Sequence, residues 1–341
     1  MLYVVTGFLW ISLLLYLLLA GADFGAGILE LFSSPRSKII TRKLMYRIMG
    51  PIWEANHMWL IISIVILFVG FPSVYTTVSV HLHIPLVLML MGIIARGTAF
   101  SFRNYDAVKD EMQLVYSRIF VYASIITPLF LGIIAGSIVS GKIDPSANTF
   151  MGAYINDWLN WFPLSVGIFT VVICGFLASV YLIGESDTEE QRQLFFKRTR
   201  NMNTGAFISG ALVLLAARKE NVPLYHWLFG NPVSTSAILA ALLSLIIFWF
   251  RMYKRKPGLL RMLAAFQLTM LFVAVTYSHY PNIILFKNGS SISLTEPGDA
   301  HTINVLGWAL LIGSIFILPA VFYLIYSFDE RKIKPSHLEK E

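Results

Sequence analysis

The chain has little charge and almost no cysteine. Only 13% of its 341 residues are Asp, Glu, Lys or Arg, while 57% are hydrophobic; a water-soluble domain carries roughly twice that charged share. The single cysteine, Cys174, lies inside an apolar run, so disulfides, thiolate metal centres and iron–sulfur clusters lack ligands, and packing is the role left to it. Low-complexity tracts, a strong sequence repeat and any soluble domain are also missing, as is the ten-residue alternation of a membrane β-barrel. The first apolar segment has neither a basic leader nor a convincing cleavage site, and reads as a retained helix rather than a signal peptide.

What is present is a series of nine long apolar runs, at about 2–31, 52–71, 78–100, 119–139, 159–184, 202–217, 235–250, 262–279 and 303–326. A helix needs about 20 residues to cross a hydrocarbon core, so each run is read as a spanning helix. The fold class is an all-α polytopic membrane protein, with residues 1–341 forming a single integral membrane domain. Gly70-Phe71-Pro72 and Tyr280-Pro281-Asn282 punctuate run ends, and Trp158, Trp161, Trp227, Trp249 and Trp308 fall near ends, where aromatic belts belong.

The basic residues test this count. All but Lys142, Arg218, Lys219 and Lys287 of the 26 lysines and arginines fall in alternate linkers or in the tail. Lysine and arginine collect on the cytoplasmic side, so the pattern places the N-terminus outside and the C-terminus inside, with an odd number of spans. Short basic clusters of this kind are topology signals rather than a nucleic-acid surface. The first inner linker, 35–49, mixes five basic residues with Ile39, Ile40, Leu44, Met45, Ile48 and Met49, a composition suited to a helix lying in the headgroup layer.

Two acidic stretches then stand out. Asp23 lies 21 residues after Leu2, about 31 Å along a helix axis, which puts it at the inner end of the first span. Glu30 follows seven residues later, near the same helical face. In Gly50-Pro51-Ile52-Trp53-Glu54-Ala55-Asn56-His57-Met58-Trp59-Leu60, proline suits the first helical position, Glu54 falls in the first turn and His57 one turn on. Ionisable groups in membrane spans mark proton or ion routes, so Glu30, Asp23 and Glu54 are expected to form a carboxylate route from the cytoplasm, with His57 able to share a proton. Asn56 points to nearly the opposite face and is expected to tie this helix to another. The plainer reading of each acid is a capped helix end or an interhelical hydrogen bond. Gly21, Ala22, Gly25, Ala26 and Gly27 allow close helix approach or room for water. Of the seven histidines, His81, His83, His279 and His301 share the outer level at helix ends or in a loop. They read as interfacial rather than as haem ligands, and by residue type the chain is expected to hold no metal or haem.

These motifs resemble subunit II of the cytochrome bd quinol oxidases. Asp23-Phe24-Gly25-Ala26-Gly27 is similar to the family's Asp-x-Gly-x-Gly signature, and Gly50-Pro51-x-Trp53-Glu54-x-Asn56-x-x-Trp59-Leu60 to a second, more specific one. Arg96-x-x-x-Phe100-x-x-Arg103 is similar to a third, weaker one. Two departures are plain: many relatives carry Asp where this chain has Glu54, and an additional Asp where it has Ala20. The resemblance implies two four-helix bundles plus a peripheral helix, and a multi-pass place in the bacterial cytoplasmic membrane. It implies a heterodimer with subunit I, which would carry two b-type haems and one d-type haem and oxidise quinol. This chain would bind no haem of its own, and would leave room for a structural quinone or lipid and for a small single-helix accessory subunit. It would help bring cytoplasmic protons to the oxygen-reducing site, with Glu54, Asp23, His57 and Glu30 on the route. Trp59 would lie near an oxygen-access route, and Arg96 and Arg103 would anchor the inner edge of the third helix. The competing readings are a proton-coupled secondary transporter, which would require broken helices around a central site, and a scaffold without proton traffic.

Overall fold

The computed structural model describes residues 1–49, 53–105 and 111–327. Gly50 and Pro51 of the second motif, Lys109, and the basic tail with Arg331, Lys332, Lys334 and Lys340 lie outside them. Among the described residues, eight helices are long and apolar enough to cross a membrane. The chain is thus an all-α polytopic protein, with a two-stranded hairpin, β1 (Asn282–Leu285) and β2 (Ser291–Ser293), in one connection.

In chain order the helices begin with α1 (Leu2–Leu31), which contains a π-helical turn at Tyr16–Ala20, and α2 (Pro35–Met49), which spans the first basic linker. Then come α3 (Trp53–Gly70), α4 (Pro72–His81), α5 (His83–Tyr105) and α6 (Glu111–Val139). The short α7 (Phe150–Tyr154) precedes α8 (Trp161–Glu185) and α9 (Glu189–Lys219). The series closes with α10 (Leu224–Phe229), α11 (Pro232–Tyr253), α12 (Leu260–His279) and α13 (Ala300–Ser327).

Two differences from the sequence reading have clear causes. The third run does not start at residue 78: Pro72 opens a separate ten-residue helix that ends at His81, and Leu82 leaves the helical region before α5 begins. The run at 202–217 forms the second half of the 31-residue α9. Its first half carries Arg192, Lys197, Arg198 and Arg200 behind a Thr188 N-cap that accepts from Gln191 N at 3.3 Å. That polarity keeps α9 out of the eight.

Helices α1 and α8 form the spine. The second half of α1 packs on α8 and α6, α5 packs on α6, and α3 and α13 flank the first half of α1. On the other side α8 holds α9 and the α11–α12 pair. One apolar core runs through α1, α3, α5, α6 and α13 around Leu9, Phe24, Ile66 and Ile133; a second joins α1 to α8, α9, α11 and α12 around Leu177, Phe195 and Phe248. Lipid tails are as apolar as these side chains, so the helices are held by close packing rather than by escape from water. Gly25 and Gly27 provide it. A methyl group on Gly25 would meet the Cys174 carbonyl oxygen and sit 2.6 Å from Ala178 Cβ, and one on Gly27 would sit 2.5 Å from Ser124 Cβ.

Gly25→Ala is expected to force α1 from α8 and cost about 1–3 kcal/mol, whereas Gly7→Ala, with nothing within 4 Å of the added methyl, should be silent. Thermal unfolding of the two purified variants checks this; equal melting temperatures would show that the helices have slack.

Candidate functional site

The site lies at the end of the bundle where lysines and arginines gather. Asp23 and Glu30 are seven residues apart on α1, and Arg96 and Arg103 are seven apart on α5. Seven residues is close to two helical turns, so each pair presents one face and the two faces meet as rungs. In the deeper rung Arg96 donates from Nη1 to Asp23 Oδ2 and from Nη2 to Asp23 Oδ1, both at 2.7 Å, and from Nη2 to the Asp23 carbonyl at 3.0 Å. Asp23 is 1% exposed and Arg96 2%. In the second rung Arg103 Nη1 donates to Glu30 Oε2 at 2.9 Å, Arg42 of α2 donates to Glu30 Oε1, and Lys38 Nζ lies 3.8 Å from that oxygen.

Helix α6 completes the ladder. Arg96 Nε donates to Ser124 Oγ at 3.1 Å, and Ser124 Oγ donates to the Phe120 carbonyl at 2.7 Å. The Phe120 ring lies beneath both guanidinium groups, 4.8 Å from Arg96 and 4.1 Å from Arg103, while Phe24 faces Arg96 at 5.1 Å. A bidentate arginine on a carboxylate is the strongest form of protein ion pair, and aromatic faces add cation–π attraction. Between the rungs runs a narrow cleft lined by Asp23, Glu30, Thr41, Arg42, Tyr46 and Arg103, among others, with room for about one water.

The residues of the second motif are placed differently. His57 is half-buried, its ring 5.9 Å from those of both Tyr16 and Phe24 and 6.4 Å from Trp53. Its Nδ1 and the Tyr16 hydroxyl are buried without a hydrogen-bond partner among the described residues. Glu54 is exposed, and no described residue pairs with it. The three acids expected on one route are therefore divided: Asp23 and Glu30 are neutralised by arginines, and Glu54 is not joined to either. Asn56 is buried, but its Nδ2 has no partner among the described residues, and Trp59 packs into the first core. Sequence reasoning missed the pairing of acids with arginines, although the shared spacing of seven carried the signal. It also missed Ser124, Phe120, Arg42 and Lys38, whose parts depend on tertiary contact.

No group of three or more His, Cys, Asp or Glu side chains able to hold a metal ion occurs among the described residues. What the arrangement can do is fix paired buried charges on α1 and α5, while α3 carries a carboxylate that no described residue pairs with and an imidazole.

Comparison with known proteins gives a consistent result. The family model for cytochrome bd terminal oxidase subunit II matches residues 1–328. The chain is 23% identical to cytochrome bd ubiquinol oxidase subunit 2 of Bacillus subtilis, over 93% of its own length and 92% of that protein's. It is 26% identical to cytochrome bd-I ubiquinol oxidase subunit 2 of Escherichia coli, over 50% and 46% of the two lengths. The structure of bd oxidase from Geobacillus thermodenitrificans superposes with a TM-score of 0.77 at 20% identity, covering 97% of this chain and 99% of the matched one.

Arg96→Gln strands a buried carboxylate, and Asp23→Asn strands a buried guanidinium. Each is expected to cost about 3–5 kcal/mol, with the double variant recovering more than about 1 kcal/mol of the sum. A double-mutant cycle on thermal stability measures this, and additive losses would show that the two groups are not coupled.

Proposed function

Because this chain belongs to the cytochrome bd terminal oxidase subunit II family, we propose that it supports a partner subunit I in quinol:oxygen oxidoreduction and supplies part of the cytoplasmic proton path. Family membership makes it a multi-pass protein of the bacterial cytoplasmic membrane and a component of an oxidoreductase complex with a subunit I. In the proposed reading α9 is the ninth span, the basic end faces the cytoplasm, the N-terminus lies outside, and the helices group as two bundles of four plus α13. The haems reside in subunit I, where quinol is oxidised and oxygen reduced. A small accessory subunit and a structural quinone or lipid are compatible with this arrangement.

The single observation that carries the proton role is the contrast among the three acids. A carboxylate whose oxygens are both taken up by guanidinium N–H donors has no free oxygen facing a water chain or a second carrier. Asp23 and Glu30 are so held. Glu54 is exposed on the surface of this chain, pairs with no described residue and is available to a neighbouring subunit. His57, one turn along the same helix, offers an imidazole whose Nδ1 has no hydrogen-bond partner among the described residues. Glu54 is therefore assigned as the relay and His57 as its companion. Asp23 and Glu30 hold the local field, with Arg96 and Arg103 as their counter-charges, and Trp59, packed in the first core, marks the oxygen-access route in this reading.

In the assembled complex Glu54→Gln is expected to slow quinol-driven oxygen consumption roughly tenfold or more, with haem content and subunit ratio unchanged. Glu54→Asp, which keeps the carboxyl, should restore most of the rate. Turnover equal to wild type in Glu54→Gln would leave this chain a scaffold.

A further inference from the structure

A second feature of the basic end takes no part in the ladder. Arg198 is half-buried on α9 and faces the corner where α1 gives way to α2. Its Nη1 donates to Thr41 Oγ1 at 2.8 Å, and its Nη2 donates to Ser33 Oγ at 2.6 Å and Ser37 Oγ at 2.9 Å. All three acceptors are neutral hydroxyls, and no Asp or Glu pairs with Arg198 among the described residues. Hydroxyls satisfy the N–H groups but leave the charge unbalanced, which is costly where water is partly excluded. Glu30, the acid of the same corner, is already shared by Arg42, Arg103 and Lys38. Among the described residues the corner therefore holds more positive charge than it neutralises.

The surroundings specify the kind of anion. Ser33, Ser37 and Thr41 belong to the start of the interfacial segment, where Phe32, next to Ser33, is 70% exposed and Ile39 71%. Exposed apolar groups beside a cationic cluster fit a headgroup that brings an acyl chain, and basic corners between helices on the cytoplasmic side are where acidic headgroups bind. The hydroxyls can give way without loss: Ser33 Oγ donates to the Leu29 carbonyl and Thr41 Oγ1 to the Ser37 carbonyl at 2.8 Å, so neither relies on Arg198. We propose that Arg198, with Lys38 and Arg42 alongside, binds the phosphate of an anionic phospholipid whose acyl chain lies over Phe32. A phosphodiester oxygen would take over one of the hydroxyl acceptor positions on the guanidinium.

The test uses the complex purified from native membranes, washed extensively in detergent and analysed for retained phospholipid. Wild type is expected to keep phosphatidylglycerol or another acidic lipid, Arg198→Gln to keep at least fivefold less, and Arg198→Lys to fall between, with haem content unchanged. Equal retention in wild type and Arg198→Gln overturns the site. If Arg198→Gln loses subunit I, the guanidinium serves a partner carboxylate and the proposal fails. If that variant does not accumulate, delipidated wild type decides. Phosphatidylglycerol must raise its melting temperature more than phosphatidylcholine at the same mole fraction, and equal shifts, or the same shift from inorganic phosphate, overturn the lipid assignment.

Discussion

An ionised carboxylate cannot sit in hydrocarbon without a counter-charge, and the basic end of this protein is arranged around that constraint. Placing a charged side chain in a spanning helix is costly, and such groups pair with one another. Asp23 and Arg96, both almost fully buried, meet that constraint through two parallel hydrogen bonds. Because both acids are on α1 and both arginines on α5, with equal spacing, sliding either helix by one turn would break both rungs together. The ladder thus sets helix register, which packing of apolar side chains against lipid-like neighbours defines only weakly.

Close packing and charge pairing depend on each other here. Gly25 and Gly27 bring α1 against α8 and α6 at the level of Asp23 and Glu30. That approach puts Ser124 within reach of Arg96 and lays Phe120 under both guanidinium groups. Bulkier residues at the glycines would admit lipid or water around the pair and weaken it. The motif Asp23-Phe24-Gly25-Ala26-Gly27 is in this sense one device: the acid supplies charge, Phe24 a ring for the arginine, and the glycines the short distances.

Much of the fold was legible because hydropathy and basic clusters report directly on burial in a membrane. Runs such as 159–184 and 262–279 match α8 and α12 to within two residues. What was not legible depended on partners. Helix α9 reads as a short span in sequence, because its polar first half is stabilised by contacts such as Arg198 to Ser33 that no local pattern reveals. The acids were found from their type and depth. Their neutralisation was not, since a carboxylate in an apolar run looks the same whether it is paired or free. Only a search for arginines repeating at the same interval of seven could have joined Asp23 to Arg96. Glu54 shows the converse: its place in a helix N-terminal turn was readable, but its exposure is set by which face of α3 the other helices leave uncovered.

The second half of the molecule uses a milder form of the same solution. Glu185 ends α8 and accepts from Arg261 Nη2 at 2.6 Å, and Arg261 also donates to the Tyr181 carbonyl at 2.6 Å. Gly184 clears the space, since a methyl there would lie 2.7 Å from Arg261 Nη2. An acid near the basic end of a helix and an arginine from another helix recur, but here the glycine faces the arginine itself, whereas Gly25 and Gly27 face α8 and α6. The environment differs too: the Glu185 side chain is 19% exposed and Arg261 34%, against 2% for both Asp23 and Arg96. Water screens the second pair and does little to screen the first. The fixed electrostatic field is therefore concentrated in the half that also carries His57 and Glu54.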